Sequence, residues 1–231
     1  MPGAPVAFET SDPELAHEFL TRAYASSRMS VNSVPGDVRL RHSRQDAGPF
    51  YHDVYVNSMD VSFETNPLGH LLVARVVSGQ FERDTEGTSE RFGPGYVFLV
   101  SQPHRPHACR STGVHLDLIG IELAAVADVT GDPAMAEPGR LQLRGYRPAS
   151  RAAARPWNST VAFVTGQLLA GDEAAASPLV ISSVAQLLAA AVLATFPNNA
   201  VSDPRPDERR DARARRLPRA AAAATRPRPS A

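Results

Sequence analysis

The sequence predicts an α+β, mainly β fold: an antiparallel sandwich or barrel, preceded by one helix and followed by a helical hairpin and a tail. Three observations carry this expectation. Between about Val38 and Ile121, short apolar runs are separated by Gly, Pro, Asn and Asp turns, as in antiparallel strands joined by tight loops. No strand–helix–strand alternation accompanies them, which argues against a parallel sheet. From about Ser150, apolar residues recur at helical spacing in two consecutive stretches.

The first element reads as a helix. In SDPELAHEFLTRAYA, Ser11 and Glu14 stand at capping-box spacing, and Pro13 falls in the first turn, where its missing N–H is harmless. Leu15, Phe19 and Tyr24 form an apolar stripe flanked by Leu20 and Ala23, so this helix should lie against another element. FYHDVYVNSMDVSFE then alternates, with His52, Val54 and Val56 on one side and Tyr51, Asp53 and Tyr55 on the other. HLLVARVVSGQFER is apolar on both faces, as a central strand is. GTSERFGPGYVFLVSQP turns at Gly93-Pro94-Gly95 and enters a short buried strand, and GVHLDLIGIEL alternates again.

IELAAVADVTGDP predicts a short helix ended by Gly131 and Pro133, and LQLRGYRPAS a brief extended piece. Trp157, Val161, Val164 and Leu168 mark one further helix. Val180, Val184, Leu187, Leu188 and Ala191 mark another, which starts at Ser177-Pro178 and stops at FPNN. AGDEAAA would link the two as an antiparallel hairpin. The expected divisions are a barrel with its N-terminal helix over 1–147, the hairpin over 148–197 and a disordered tail over 198–231. No internal repeat is present.

A formal net charge of zero argues against a general nucleic-acid binder. It conceals an asymmetry: residues 1–202 carry 15 Arg against 20 acidic residues, and residues 203–231 carry 9 Arg against 4. The single cysteine, Cys109, excludes an internal disulfide and suits a reducing cytoplasm. Cys109 near His107 suggests a thiol–imidazole pair, with a plain buried cysteine as the alternative. The N-terminal stretch lacks the basic and apolar regions of a signal peptide. The longest apolar run, SSVAQLLAAAVLATF, is too short and Ala-rich for a membrane span. No G-x-S-x-G, P-loop, G-x-G-x-x-G or H-E-x-x-H occurs, so neither an enzyme nor a cofactor is expected.

FGPGYVFLVSQPHRPHACRSTGVHLDLIGIEL joins a Pro-Gly turn, a strand, a Pro-His loop and a second strand. It resembles the second conserved motif of cupin barrels. Metal-binding cupins carry two His one residue apart and then a Glu in their first motif. The corresponding GHLLVARVVSGQFERDTEGTSE has only His70. His104 and His107 lie on the Pro-His loop, and His115 shares a strand face with Asp117; zinc or iron needs three or four converging ligands. These histidines are therefore expected to line the barrel mouth or to solvate a loop, and no metal site is assigned. Arg75 sits in an apolar strand and needs an acidic partner or ligand if that face is internal; a face turned to solvent or a helix edge is the alternative. Tyr51, Tyr55, Tyr96 and Phe98 could line a pocket or simply fill the core. The candidate ligand-binding set is thus Tyr51, His70, Arg75, Tyr96, Phe98, His104, His107 and His115. The stripe containing Val184, Leu187, Leu188 and Ala191 is either a dimerisation seam or packing against the chain's own barrel.

FETSDPELAHEFLTRAY, FGPGYVFLVSQP, GYRPAS and SPLVISSVAQLLAAAVLATFPN occur in that order. Together they resemble the N-terminal half of AraC/XylS-type transcriptional regulators of the actinobacterial kind, over about residues 8–200. The resemblance implies a cupin-like barrel that senses a small-molecule effector and helices that mediate dimerisation. It further implies a C-terminal domain with two helix-turn-helix units that binds DNA. The sequence departs there: residues 203–231 have no apolar periodicity for a helix-turn-helix, and 17 of the last 20 residues are Ala, Arg or Pro. Tyr96 also stands where the family often has an acidic residue.

The tail admits three readings: a basic arm with weak non-specific phosphate attraction, a neutral end, or an out-of-frame translation of a lost DNA-binding domain. Its abrupt Ala/Arg/Pro enrichment favours the third. The expected protein is a cytoplasmic, effector-binding and dimerising regulator region without specific DNA binding of its own, as a homodimer or a mixed dimer with an intact regulator. A small metal-dependent cupin enzyme and a stand-alone sensor are the alternatives.

Overall fold

The structure is a computed structural model that describes residues 6–33, 39–85, 88–169 and 177–200. The expected link over 170–176 and nearly all of the expected tail lie outside these residues. Strand β1 (Val6–Thr10) leads into helix α1 (Pro13–Ala23), followed by β2 (Ser27–Ser33), β3 (Leu40–Asp46), β4 (Phe50–Thr65), β5 (Leu71–Thr85), β6 (Thr88–Phe92), β7 (Val97–Leu99) and β8 (His107–Ile121). Helices α2 (Leu123–Thr130), α3 (Ala154–Phe163) and α4 (Pro178–Thr195) follow. The fold is mainly β and antiparallel with several helices, as the strand pattern predicts.

All eight strands belong to one sheet. The order is β1-β3-β4-β8-β5-β6, with β2 pairing to the far half of β4 and β7 to the near half of β5. The three long central strands change direction at one level. Register shifts fall between Asn57 and Asp60 in β4 and between Val76 and Gln80 in β5. Gly79 and Gly113 meet there, both with positive φ, and a Cβ on Gly79 would overlap the Gly113 carbonyl. These bulges curl the sheet around an interior. Among the described residues no strand pair closes the circuit between β6 and β1 or β2.

Alternation along the strands separates two cores. Leu72, Ala74, Val76, Phe98, Val100, Val114, Leu116 and Leu118 face inward with Leu20 of α1. Leu71, Val73, Val97, Leu99, Ile119 and Ile121 face outward and pack with Trp157 of α3 and Ile181, Val184, Leu188 and Val192 of α4. This explains why HLLVARVV is apolar on both faces: β5 is paired on both edges and covered on both sides.

Several elements differ in detail from expectation. The N-cap of α1 is Asp12, not Ser11, and its carboxylate accepts the backbone N–H groups of Glu14 and Leu15. Strands β1 and β2 have no counterpart in the sequence reading. They are edge strands with little apolar alternation, and their pairing with β3 and β4 creates them. Helix α3 continues into a π-helical turn at Val164–Leu168. α3 and α4 run antiparallel, since Thr195 at the end of α4 donates its hydroxyl to the Ala153 carbonyl at the start of α3. Order also extends past Asn198: it bridges to Leu143, and its side-chain amide donates to the carbonyls of Leu193 and Phe196. By length and composition α4 could cross a membrane, contrary to the estimate made on the run alone, but its most apolar face is spent on the outer core.

Candidate functional site

The inward face of the curled sheet does not fill its interior. A cavity of about 100 Å³ remains between α1, β2, β4, β5 and β8. Its wall is mainly Leu20, Tyr55, Phe63, Leu68, Leu72, Phe81, Val100, Leu116 and Leu118, with Cys109, Ser111, Thr65, Ser27, Tyr24 and His107 adding polar atoms. No Arg, Asp or Glu is in this lining. Strand alternation places His107, Cys109 and Ser111 on one face, two residues apart along β8. Ser27, Thr65 and His107 also line an outer groove with His17, Arg28, Glu64 and Asn66, so they stand where the cavity approaches the surface.

Burial governs the chemistry of these groups. The Cys109 thiol is pushed up to about 12 by burial, so it is no thiolate nucleophile at neutral pH. Burial, reinforced by the Arg83 charge, lowers the His107 imidazole to about 4 and leaves it neutral. The Nδ1 of His107 is buried and has no hydrogen-bond partner in the protein. The Tyr55 hydroxyl is raised above its usual range by burial.

Beside the cavity lies a polar cluster built around the buried Asp53 and His42. Asp53 on β4 accepts two hydrogen bonds from Arg44 on β3, at 2.8 and 2.7 Å, and one from the Tyr24 hydroxyl at 2.6 Å. The Nε2 of His42 lies 3.2 Å from the same carboxylate. Burial alone would raise the Asp53 carboxyl, but the Arg44 and His42 hydrogen bonds overcome it and hold the group below the usual carboxylate range. The Arg44 guanidinium lies 3.9 Å from the Tyr51 ring centre, and the Tyr51 hydroxyl is 2.6 Å from His70 Nε2. Gly120, opposite Tyr51 in register, leaves room for that ring; a Cβ there would overlap it. The cluster ties the end of α1 to the sheet wall.

The structure does not bring the eight predicted ligand residues together. His107 lines the cavity. Tyr51 and His70 belong to the neighbouring polar cluster, and Phe98 is sealed in an aromatic stack with Phe92 at 4.2 Å. Arg75 and His115 are on the outward face, where Arg75 pairs with Asp117 near His52 in a crevice under Trp157. Tyr96 is 44% exposed at the turn before β7, and His104 sits in a loop groove with Gln102 and Tyr146. The cause is pleating: residues of odd and even number on one strand reach opposite cores. Cys109 and His107 do share a wall, but as a neutral thiol and a neutral imidazole. Among the described residues no three His, Cys, Asp or Glu side chains group as metal ligands. Of the predicted dimerisation residues, Val184, Leu188 and Ala191 are buried in the outer core, and Leu187 is exposed.

Sequence reasoning named His107 and Tyr55 but missed the apolar remainder of the wall. Leu116 and Leu118 were readable as one face of a strand, but no sequence signal says that Leu72 of β5 joins them or that the faces leave space rather than pack solid. Leu20 and Tyr24 reach it only because α1 caps the interior.

No protein-family model matches the sequence, and no curated protein does either. Among solved structures, the AraC-like transcriptional activator CuxR is similar, with a TM-score of 0.57 and 16% identity over 85% of this chain and 73% of that chain. A Cupin 2 conserved barrel domain protein from Salinispora arenicola CNS-205 has a TM-score of 0.29 and 17% identity over 50% of this chain and 87% of that one. The Cupin_2 domain of an XRE family transcriptional regulator from Enterobacter cloacae has a TM-score of 0.28 and 18% identity, over 41% and 95%. At these identities the likeness is one of fold, and it is with the AraC-like activator that this fold is shared over most of the chain.

Proposed function

We propose that this chain is the effector-sensing region of an AraC-type transcriptional regulator, acting in the cytoplasm without catalytic activity. The observation that carries the proposal is the apolar cavity inside the curled sheet of a fold like that of an AraC-like activator. Contacts leading away from the cavity supply a route for its output. Arg83, which bears electrostatically on His107, donates to the Val100 carbonyl and stacks 3.4 Å from the Tyr146 ring centre. The Tyr146 carbonyl accepts the Leu99 N–H, and the segment around it binds the end of α4: Arg144 N–H to the Pro197 carbonyl at 2.6 Å and Ala149 N–H to the Thr195 carbonyl at 2.9 Å. A ligand that reshapes the cavity wall thereby biases the exit of α4, and with it the exposed edge around Leu187 through which two chains, identical or not, would associate.

A fragment library screened by thermal shift tests the reading. Compounds that raise Tm are expected to lose their effect in Leu118→Phe, which fills the cavity. A library without stabilising compounds, or stabilisation that persists in the filled variant, refutes it.

A further inference from the structure

We infer that the cavity takes an uncharged, compact, mostly apolar ligand bearing one hydroxyl, of the class of a monocyclic phenol, whose hydroxyl meets the His107 imidazole. The inference rests on the effector-sensing reading and narrows it. Size comes first: a cavity of about 100 Å³ is of the order of the ~150 Å³ engineered apolar cavity that accepts benzene, so one ring with few substituents fills it. Charge comes second. The wall has no charged side chain, and an ion entering it would lose its hydration without an ion pair in return. The Arg83 guanidinium is turned to the Val100 carbonyl and the Tyr146 ring and is not part of the lining.

The polar group comes third. His107 is only 9% exposed, and its Nδ1 is buried with no partner in the protein, although buried polar atoms are almost always hydrogen-bonded. A ligand hydroxyl both donates and accepts, so it satisfies either tautomer of a neutral imidazole. His107 stands at the outer groove with Ser27 and Thr65, so the hydroxyl would lie toward the entrance and the ring toward Leu72, Phe81 and Leu118.

Titration of the full chain with phenol, benzene and benzoate, read by the methyl resonances of Leu72, Leu116 and Leu118 and by calorimetry, tests this. Phenol should shift those methyls saturably, benzene should bind about tenfold more weakly for want of the hydrogen bond, and benzoate should not bind. His107→Leu should abolish the preference for phenol over benzene, and His107→Gln should restore part of it. Equal affinities for phenol and benzene, undiminished phenol binding in His107→Leu, or benzoate binding as tightly as phenol overturns the ligand class while leaving a working cavity. Silence of the methyls toward all three probes and toward xenon overturns both the class and the effector-sensing reading.

Discussion

The His107 imidazole is neutral in the folded protein down to a pKa of about 4, against an ordinary value of 6.5. Between these values the unfolded chain binds a proton that the folded chain does not. Stability from this group is therefore complete above about pH 6.5 and is lost as the pH falls toward 4, by about 3 kcal/mol across the window. Urea unfolding at stepwise pH checks this: His107→Leu should make the profile shallower between pH 6.5 and 4, leaving the slope from His52 and His70, which burial also lowers, and parallel profiles for the two proteins would disprove it. Asp53 acts lower on the scale. Its carboxyl is held below the usual range, so its contribution is present above the ordinary carboxylate pKa and disappears only as the pH falls through the folded value. The Asp53 window lies below that of His107, and the comparison with His107→Leu separates His107 from His52 and His70.

At the scale of elements, caps and faces decide. Asp12 accepts the first free N–H groups of α1, and Ser11 has no such contact among those made by the cap. Asp12→Ala should lower stability by about 1 kcal/mol, whereas Ser11→Ala should leave it within about 0.5 kcal/mol. The reverse order in chemical denaturation would reinstate the capping box read from sequence. Helix α4 offers a sharper contrast between adjacent residues. Leu188 is fully buried against the sheet, and Leu187 is 44% exposed. Leu188→Ala should cost about 3 kcal/mol through lost transfer and a residual cavity, and Leu187→Ala less than about 0.5 kcal/mol. If Leu187→Ala instead weakens self-association in sedimentation, that locates the proposed seam on the exposed edge.

At the scale of the molecule, one sheet serves two cores, so the two should unfold together. The lone Trp157 lies in the outer core between α3 and the sheet, while the strands dominate the backbone signal. Tryptophan fluorescence and far-ultraviolet circular dichroism should give coincident thermal transitions for the described body. A separate early transition in fluorescence would mean that the helices form a unit that melts independently of the sheet.

Local chemistry wrote much of this fold into the sequence. The alternation of β4 and β8, the two-sided apolarity of β5, the Gly131 stop of α2 and the Pro178 start of α4 all depend on neighbours a few residues away, so they were legible without coordinates. Strands β1 and β2 were not, because edge strands take their structure from a partner distant in the chain. The site was legible least. Tyr51 and Arg75 read from sequence as strand residues and His107 as a loop residue, yet His107 opens β8, and pleating and the bulges at Asn57–Asp60 and Val76–Gln80 send the three to a polar cluster, the outer face and a cavity. Whether an apolar face packs solid or encloses space depends on how far the sheet curls and on what α1 covers, and that is settled only when strands and helix meet in three dimensions.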